Sequence, residues 1–402
     1  MSRYQSLSYL EDLEKEELKN KRVLVRVDFN VPLDDDMKIT DDTRIIAALD
    51  TIKYLISNNC AIILMSHLGR PKGKVVHKMR LDSVAKHLEG LLQKEVIKLD
   101  DCIGEEVQRK VLRLKSGEII LLENLRFHQE EKKNDPIFAK QLASLADIYV
   151  NDAFGAAHRA HASTTGIAAY LPSYAGFLMA KELKSLNKLL LDPERPFISI
   201  IGGAKVSDKI EVLEKLIEIC DILLIGGGMA YTFLFAQGYE VGNSILEEEF
   251  IGSVKKIIKE AKQRNIEMIL PEDVIVAKEF KEDAESFNVP IGNIEKNMIG
   301  MGIGNSTTKL FEQKIEAART IFWNGPLGVF EMKQFAKNTN QIAAKIASLG
   351  NRVFSVVGGG DSIAAISQLN LKDKISHIST GGGASLEYIS GKKLPGLEAL
   401  KK

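Results

Sequence analysis

Short runs of apolar and β-branched residues recur along the chain, and stretches with helical periodicity separate them. In the first half these runs begin at Arg22, Ala61, Glu118 and Ile148. In the second half they begin at Phe197, Asp221, Glu267, Thr320, Arg352 and His377. Between the first two runs, apolar residues recur at the 3.6-residue spacing of an amphipathic helix, at Ile45, Leu49, Ile52 and Ile56. The alternation predicts parallel sheets covered by helices, and the continuous apolarity of the strands indicates that both sheet faces are buried.

The length of 402 residues exceeds what one hydrophobic core usually organises, so we expect two domains. The predicted fold class is α/β, with two doubly wound, Rossmann-like parallel-sheet domains joined by a helical hinge. A helical stretch from Phe177 ends before Pro193 and Pro196, which interrupt a helix. We therefore predict four segments, namely an N-terminal domain (1–176), an interdomain helix and hinge (177–196), a C-terminal domain (197–385) and a tail (386–402). The tail is expected to pack on the first domain.

The charge balance limits which partners the chain can attract. Lys+Arg and Asp+Glu both number 54, so no net field favours nucleic acid or an anionic membrane surface. Any anion site must therefore come from local clustering of basic residues. Cys60, Cys102 and Cys220 lie far apart, which disfavours a disulfide framework and a zinc site and favours a reducing cytoplasm. The N-terminal residues carry charges where a signal peptide has its apolar run, so we expect no export.

One uncharged stretch, residues 222–239, approaches the length of a membrane-spanning helix. Glycines at 226–228 interrupt it, so we interpret it as a buried strand, a glycine turn and a helix. No membrane partner is therefore expected.

Ligands of open parallel sheets bind beyond the carboxyl ends of the strands, so the residues that close each run are informative. In the first half these residues are polar or basic, namely Asp28, Asn30, His67, Arg70, Arg126, His128, Asn151 and Asp152. Arg44 and Arg159 follow the first and the fourth run. Guanidinium groups bind phosphate and carboxylate through planar, two-pronged hydrogen bonding. A single arginine is ordinarily a solvated surface residue, but four at equivalent positions favour a site for a small polyanion.

The runs of the second half end in glycine turns, which let backbone N–H groups approach phosphate. These glycines are at 202–203, 226–228, 325, 358–360 and 381–383. A single glycine turn also closes strands where no ligand binds. Lys205, Lys209 and Asp361 beside these turns favour a nucleotide with Mg²⁺, because a hard cation binds a carboxylate and phosphate oxygens. The chain has no P-loop motif, and no G-x-G-x-x-G after its first strand, which argues against P-loop enzymes and dinucleotide-dependent dehydrogenases.

Motifs spread over nearly the whole chain resemble those of phosphoglycerate kinases, in the family's order. They are RVDFNVP at Arg26, DDTRI at Asp41, SHLGRP at Ser66, ENLRFH at Glu123, NDAFGAAHRAHAST at Asn151, IIGGAKVSDKI at Ile200, WNGPLGVFE at Trp323, VVGGGDS at Val356 and STGGGASLEYISGKKLPG at Ser379. The resemblance implies reversible phosphoryl transfer between 1,3-bisphosphoglycerate and Mg-ADP, giving 3-phosphoglycerate and ATP in glycolysis. It also implies that the N-terminal domain binds the acid and the C-terminal domain the nucleotide.

The resemblance further implies roles for individual residues. Those that bind the phosphoglycerate would be Asp28, Asn30, Arg44, His67, Leu68, Gly69, Arg70, Arg126 and Arg159. Those that bind the nucleotide would be Lys205, Lys209, Gly300, Asn324, Glu331, Gly359, Gly360, Asp361 and Ser362, with Asp361 on Mg²⁺. The residues that act on the transferred group would be Arg44, Lys205, Gly359 and Gly382. The chain departs from the family pattern at Gly302 and at Gly304-Asn305, where an acidic residue and a glycine-proline turn are expected.

Two other classes stay open as alternatives at this point. One is a doubly wound dinucleotide-dependent enzyme, and the other is a two-lobed binding protein for small acids without catalysis. The family's habit implies a monomer that has neither a nucleic-acid nor a membrane partner. Since a carboxylate nucleophile is already ionised at neutral pH, Asp28 is interpreted as a positioning residue and not as a general base.

Overall fold

The computed structural model of the chain describes residues 6–401. These residues divide into two compact units. The first unit reaches to Lys184 and takes in the residues from Lys393 onward, and the second is Ser185–Lys392. The division falls within the predicted interdomain helix. The limits of the four predicted segments stay a prediction.

Within the described residues, six parallel strands form the sheet of the first unit, namely β1 (Arg22–Val27), β2 (Ala61–Met65), β3 (Ile97–Lys98), β4 (Ile119–Leu121), β5 (Ile148–Asp152) and β6 (Ser173–Ala175). Their order across the sheet is β3-β4-β2-β1-β5-β6. The chain fills one side of β1 first and then adds β5 and β6 on the other side, which is a doubly wound topology. The strand order reverses between β1 and β5, so the loops after these strands border the crevice where such sheets bind ligands.

Helices cover this sheet, and they are α1 (Lys15–Leu18), α2 (Thr43–Ser57), α3 (Asp82–Leu92), α4 (Glu105–Leu112), α5 (Gln129–Lys133), α6 (Pro136–Ala143) and α7 (Phe177–Leu191), which continues past Lys184. The periodicity predicted for α2 is confirmed. Ile45, Leu49 and Ile52 are buried against the strands, and Ile56 is partly buried beside them. The apolar face of α2 therefore orients the helix and fixes where its first turn points.

Two sheets form the second unit, and their strands are β7 (Phe197–Ile201), β8 (Ile222–Ile225), β9 (Glu267–Ile269), β10 (Asp273–Ala277), β11 (Ser286–Pro290), β12 (Ile299–Ile303), β13 (Thr320–Asn324), β14 (Phe354–Gly358) and β15 (His377–Ile378). The larger sheet is parallel, in the order β15-β14-β13-β7-β8-β9. Its strand order reverses between β7 and β13, so the turns after these strands border its ligand crevice. The helices are α8 (Ile210–Ile219), α9 (Met229–Ala236), α10 (Ile251–Gln263), α11 (Asn305–Glu316), α12 (Lys337–Leu349), α13 (Gly360–Gln368) and α14 (Gly383–Ile389).

The run that begins at Glu267 is predicted as one strand, and the structure corrects this. It divides into β9, which lies at the edge of the parallel sheet, and β10, which pairs antiparallel with β11 and β12. Pro271 separates the two, because proline lacks the N–H that a continuous ladder would need. The alternation pattern did not predict the small antiparallel sheet.

The uncharged stretch at 222–239 folds as predicted into β8, a glycine turn and α9. No helix among the described residues is both long enough and apolar enough to cross a membrane. Single turns of 3₁₀ helix join other elements, at Leu10–Asp12, His77–Met79, Leu125–Phe127, Phe154–Ala156, Gly166–Ala169, Glu248–Phe250, Ile291–Asn293, Gly350–Arg352 and Lys372–Lys374.

The C-terminal residues belong to the first unit. They form α15 (Pro395–Glu398), and Gly396 N donates a hydrogen bond to Ala157 O at 2.9 Å. Ser8 N donates to Leu400 O at 3.3 Å. The two ends of the described chain are therefore joined by backbone hydrogen bonds.

Candidate active site

The loops that follow β1 and β2 are tied to the first turn of α2. Arg44 donates from Nη1 to the carbonyl oxygen of Asn30 at 2.8 Å, and the same atom lies 3.5 Å from Asp28 Oδ2. Asn30 Oδ1 accepts a hydrogen bond from Gly69 N at 2.8 Å. The structure therefore brings Asp28, Asn30, Arg44 and Gly69 together.

Arg126 joins the same group. Its Nη1 donates to the carbonyl oxygen of Gly69 at 2.8 Å, whereas its Nε is buried and has no hydrogen-bond partner among the described residues. Burial, with Arg26 and Arg159 nearby, lowers the pKa of Arg126 to about 10. A guanidinium with unused donors beside other cations is a site where an anion is stabilised.

The remaining predicted residues of the first unit differ in exposure. Arg70 and Arg159 are exposed, and Arg159 Nε donates to His158 Nε2 at 3.0 Å. Leu68 is buried, and its N–H donates to Asn124 Oδ1 at 3.2 Å. The two arginine side chains therefore lie outside the core. The hydrogen bond of Leu68 fixes the loop that also contains Arg70.

Arg26 is a residue that the sequence analysis missed as a site residue. It lies within β1, is fully buried, and donates to Ser163 Oγ at 2.9 Å and to the carbonyl oxygen of Val27. Its Nη2 lies 3.1 Å from His67 Nδ1. An arginine within an apolar strand run was the available signal, because arginine is almost never fully buried without a partner. We call Arg26, Arg44, Arg126 and Arg159 the arginine cluster.

The arginine cluster keeps two buried histidines uncharged. Burial, followed by Arg26, Arg126 and Arg44, holds the pKa of His67 well below its usual range. Burial and the nearby cations Arg26 and Arg126 lower the pKa of His161 to about 3. Since Arg26 only donates hydrogen bonds, neutral His67 accepts at Nδ1 and carries its proton on Nε2. It is thereby a neutral donor within a cationic site.

His161 makes the stability of the protein depend on pH. The unfolded chain binds a proton at this histidine near pH 6.5, whereas the folded chain does so only near pH 3, so stability falls as the pH drops through this window. Between pH 7 and pH 5 the free energy of unfolding of the parent should fall. In His161→Gln this fall should be smaller by roughly 1 to 2 kcal/mol. Urea unfolding at both pH values measures this. Exposed His77→Gln is the control, and equal losses in parent and His161→Gln would contradict the assignment.

Glycine turns at the strand ends of the second unit leave backbone N–H groups accessible at helix starts. Gly359 precedes α13 with φ of 92°, and Gly382 precedes α14 with φ of 53°. An L side chain rarely adopts this left-handed region, so glycine is required at both positions. Gly360 and Asp361 are exposed in the first turn of α13. The start of α13 therefore offers N–H donors to an anion.

A cavity of about 200 Å³ opens beside these turns. Ile245, Phe280 and Val329 supply apolar contacts, and the backbone of Gly300 forms part of its wall. A Cβ at Gly300 would lie 1.9 Å from the ring of Tyr231, so no other residue fits there without movement. Its polar lining includes Gly203, Glu331 and Asp361. The cavity thus combines apolar walls, suited to a flat ring, with polar groups toward the glycine turns.

Lys209 and Asn324 form a buried polar pair beside the cavity. Lys209 Nζ donates to the carbonyl oxygen of Asn324 at 3.1 Å and also to Asn324 Oδ1. Burial lowers the pKa of Lys209 to about 8, against the opposing effect of Asp208 and Asp361. Ser362 is fully buried, and its Oγ accepts a hydrogen bond from Gly325 N at 2.7 Å. Ser362 therefore orders the turn after β13.

Lys205 is exposed in the loop between β7 and α8. The next two residues are held by Glu247, whose carboxylate accepts from Val206 N at 2.6 Å and from Ser207 Oγ at 2.6 Å. The sequence analysis missed Glu247, because no local motif marks a carboxylate that reaches this loop from 40 residues away.

The departures from the family pattern are accommodated locally. Gly302 pairs with Gly328, and a Cβ at Gly302 would lie 3.0 Å from Gly328 Cα. Asn305 N donates to Asn288 Oδ1 at 2.8 Å, a hydrogen bond that proline could not make. Asp273 accepts from Thr307 N at 2.7 Å and so caps α11. These positions therefore have structural roles of their own.

Comparison with known proteins identifies the chain. The family model described as Phosphoglycerate kinase matches residues 10–392. The chain belongs to the phosphoglycerate kinase family. The phosphoglycerate kinase of Moorella thermoacetica is 56% identical over 391 residues, which cover 97% of this chain and 98% of the relative. That of Dictyoglomus turgidum is 58% identical over 390 residues, with the same coverage of 97% and 98%.

Solved structures agree with this assignment. Phosphoglycerate kinase from Coxiella burnetii matches with a TM-score of 0.84 at 40% identity and covers 98% of both chains. The enzyme from Pyrococcus horikoshii matches with a TM-score of 0.83 at 35% identity, again over 98% of both chains. The predicted α/β fold class, with two doubly wound parallel sheets, is confirmed.

Proposed function

We propose that the arginine cluster of the first unit binds the phosphoglycerate, and that the glycine turns and cavity of the second unit bind the nucleotide. The reaction of the family is reversible phosphoryl transfer between 1,3-bisphosphoglycerate and ADP, giving 3-phosphoglycerate and ATP. The chain is accordingly a phosphotransferase with a carboxyl group as acceptor. One observation supports this assignment of the two ligands to the two units. Basic residues follow the strands of the first unit's sheet, whereas glycine turns follow the strands of the second unit's parallel sheet.

The first unit has the chemistry to hold a small polyanion. Arg126 has unused donors, and neutral His67 offers Nε2–H without adding charge. Asp28 lies 3.5 Å from Arg44, so it orients that guanidinium. Arg70 and Arg159 add charge at the rim, where long side chains reach a ligand without loss of packing. We assign no general base, because the acceptor carboxylate has a pKa of about 4 and is already ionised at neutral pH.

The second unit suits a nucleotide. We assign the adenine ring to the apolar side of the cavity, and the phosphates to Lys209 and the backbone N–H groups at Gly359 and Gly360. Lys205 and the glycine before α14, Gly382, are assigned to the transferred group. Because phosphoryl transfer spreads charge over the equatorial oxygens, these cations and N–H groups act by electrostatic stabilisation and alignment.

Asp361 is the residue proposed to hold Mg²⁺. Its carboxylate is exposed in the first turn of α13 and lines the cavity at the side assigned to the phosphates. One carboxylate with phosphate oxygens and water is a donor set that Mg²⁺ accepts, so the residues present fit the cation. When bound, the cation would neutralise phosphate charge.

A monomeric state and a cytoplasmic location are also proposed.

A coupled assay of ATP formation from 1,3-bisphosphoglycerate and ADP tests the proposal directly. We expect turnover that depends on both substrates. Binding of NAD without ADP binding would favour a dinucleotide enzyme, and binding of 3-phosphoglycerate without turnover would favour a non-catalytic binding protein.

The two sites should be separable by mutation. Asp361→Ala is expected to weaken Mg-nucleotide binding at least ~10-fold while 3-phosphoglycerate affinity stays near that of the parent. Arg44→Lys keeps the charge but loses the planar guanidinium. It should weaken 3-phosphoglycerate binding while Mg-nucleotide affinity stays near that of the parent. Isothermal titration of both ligands against both variants measures this. Exposed Asp373→Ala and Arg109→Lys serve as matched controls, and equal losses for both ligands in either variant would indicate a structural role.

A further inference from the structure

Asp101, Cys102 and His128 come together in the first unit. Each offers one possible ligand atom for a metal ion, and these three atoms lie within 4.8 Å of one another. His128 Nε2 lies 2.7 Å from Asp101 Oδ1. Carboxylate oxygen, thiolate sulfur and imidazole nitrogen are the ligand types that Zn²⁺ uses in proteins. We call these residues the Asp-Cys-His cluster.

The ligand side chains are held in place before any ion binds. Asp101 Oδ1 accepts a hydrogen bond from Cys102 N at 2.7 Å, which fixes the carboxylate beside the thiol. The ring of His128 lies 5.3 Å from that of Phe138, and His128 N donates to Leu125 O at 3.2 Å. A site whose ligands are already oriented loses little entropy when it binds its ion.

The surroundings provide a route for a cation from solvent to the cluster. Asp101 borders an open cavity of about 330 Å³, which is also lined by the acidic residues Asp100, Glu105 and Glu106 and by the basic residue Lys110. Cys102 is fully buried, whereas the side chains of Asp101 and His128 are 53% and 26% exposed. A cation would therefore reach the cluster through this predominantly acidic cavity and bind the buried sulfur of Cys102 on the side away from solvent.

We propose that the Asp-Cys-His cluster binds a thiophilic divalent cation of the Zn²⁺ type, with a fourth position open to water. Binding replaces the His128–Asp101 hydrogen bond by bonds to the ion, so the Nε2 proton of His128 passes to Nδ1 or to solvent, and the thiol proton is released to solvent. The spacing of the cysteines did not predict this site, because only Cys102 contributes and His128 lies 26 positions further along the chain.

Titration of the metal-free full-length protein with Co²⁺, followed by displacement with Zn²⁺, tests the proposal. We expect one equivalent of Co²⁺ to produce a thiolate-to-metal charge-transfer band and intense visible bands of four-coordinate geometry, both removed by Zn²⁺. Cys102→Ser should abolish the charge-transfer band, and His128→Gln should weaken Co²⁺ binding at least ~10-fold. Cys60→Ser and Cys220→Ser are matched controls that should keep the parent spectrum.

Two results would overturn the proposal. One is a parent protein that shows no thiolate band at several equivalents of Co²⁺, a measurement that depends on no variant. The other is a band that persists in Cys102→Ser. If Cys102→Ser fails to fold, X-ray absorption of the Zn²⁺-loaded parent decides, because one sulfur ligand is expected and a ligand shell without sulfur overturns the proposal.

Discussion

Lys205→Ala is expected to lower kcat by at least ~10²-fold and to leave the fold intact. The side chain is exposed, so its removal creates no cavity in the core. The loop is held by Glu247 through Val206 and Ser207, so its backbone does not depend on the lysine side chain. What is lost is a positive charge assigned to the transferred phosphoryl group, where negative charge spreads in the transition state.

Steady-state kinetics in the direction of ATP formation measure this effect, with circular dichroism and thermal unfolding as checks of the fold. Lys255→Ala, an exposed lysine on α10, is the matched control and should retain the kcat of the parent. A folded Lys205→Ala protein whose kcat is near that of the parent would remove Lys205 from the mechanism.

Residues that follow the strands could be placed from sequence, because parallel strands end at one edge of their sheet. Asp28 and His67 follow β1 and β2, which are neighbours in the sheet, and their side chains lie 3.9 Å apart. Asn324 ends β13 next to β7, and it meets Lys209 of the loop that follows β7. In these cases sequence order and sheet order were enough.

Contacts that depend on side-chain reach could not be placed in this way. Arg26 donates to Ser163, a residue 137 positions away, and the Ser163 hydroxyl donates to buried Glu131 at 2.6 Å. Nothing in this apolar run shows which neighbour satisfies its buried arginine. Phe280 was missed for a related reason, since it reaches the cavity from a segment after β10, and the antiparallel sheet of β10 was itself not predicted.

Arg26→Met is expected to weaken 3-phosphoglycerate binding by about 10²-fold while nucleotide affinity stays unchanged. The guanidinium is fully buried, and its hydrogen bonds go to uncharged acceptors on Ser163, Val27 and His67. A buried cation without a direct carboxylate partner is costly to fold, which indicates that it is retained for an anionic ligand. At an effective dielectric constant of about 20, two unit charges on the order of 6 Å apart interact by roughly 3 kcal/mol, or about 10²-fold in affinity.

A second measurement separates this electrostatic role from a merely structural one. Arg26 donates to His67 Nδ1 and lowers the pKa of His67, so Arg26→Met should raise that pKa and remove the preference for the Nε2–H tautomer. Nitrogen-15 NMR of the imidazole reports both changes. Arg22→Met is the matched control on the same strand, because Arg22 pairs with Asp147 at 2.8 Å and lies outside the arginine cluster. If folded Arg26→Met binds 3-phosphoglycerate as tightly as Arg22→Met and keeps the parent tautomer of His67, the buried guanidinium serves the fold and not the acid.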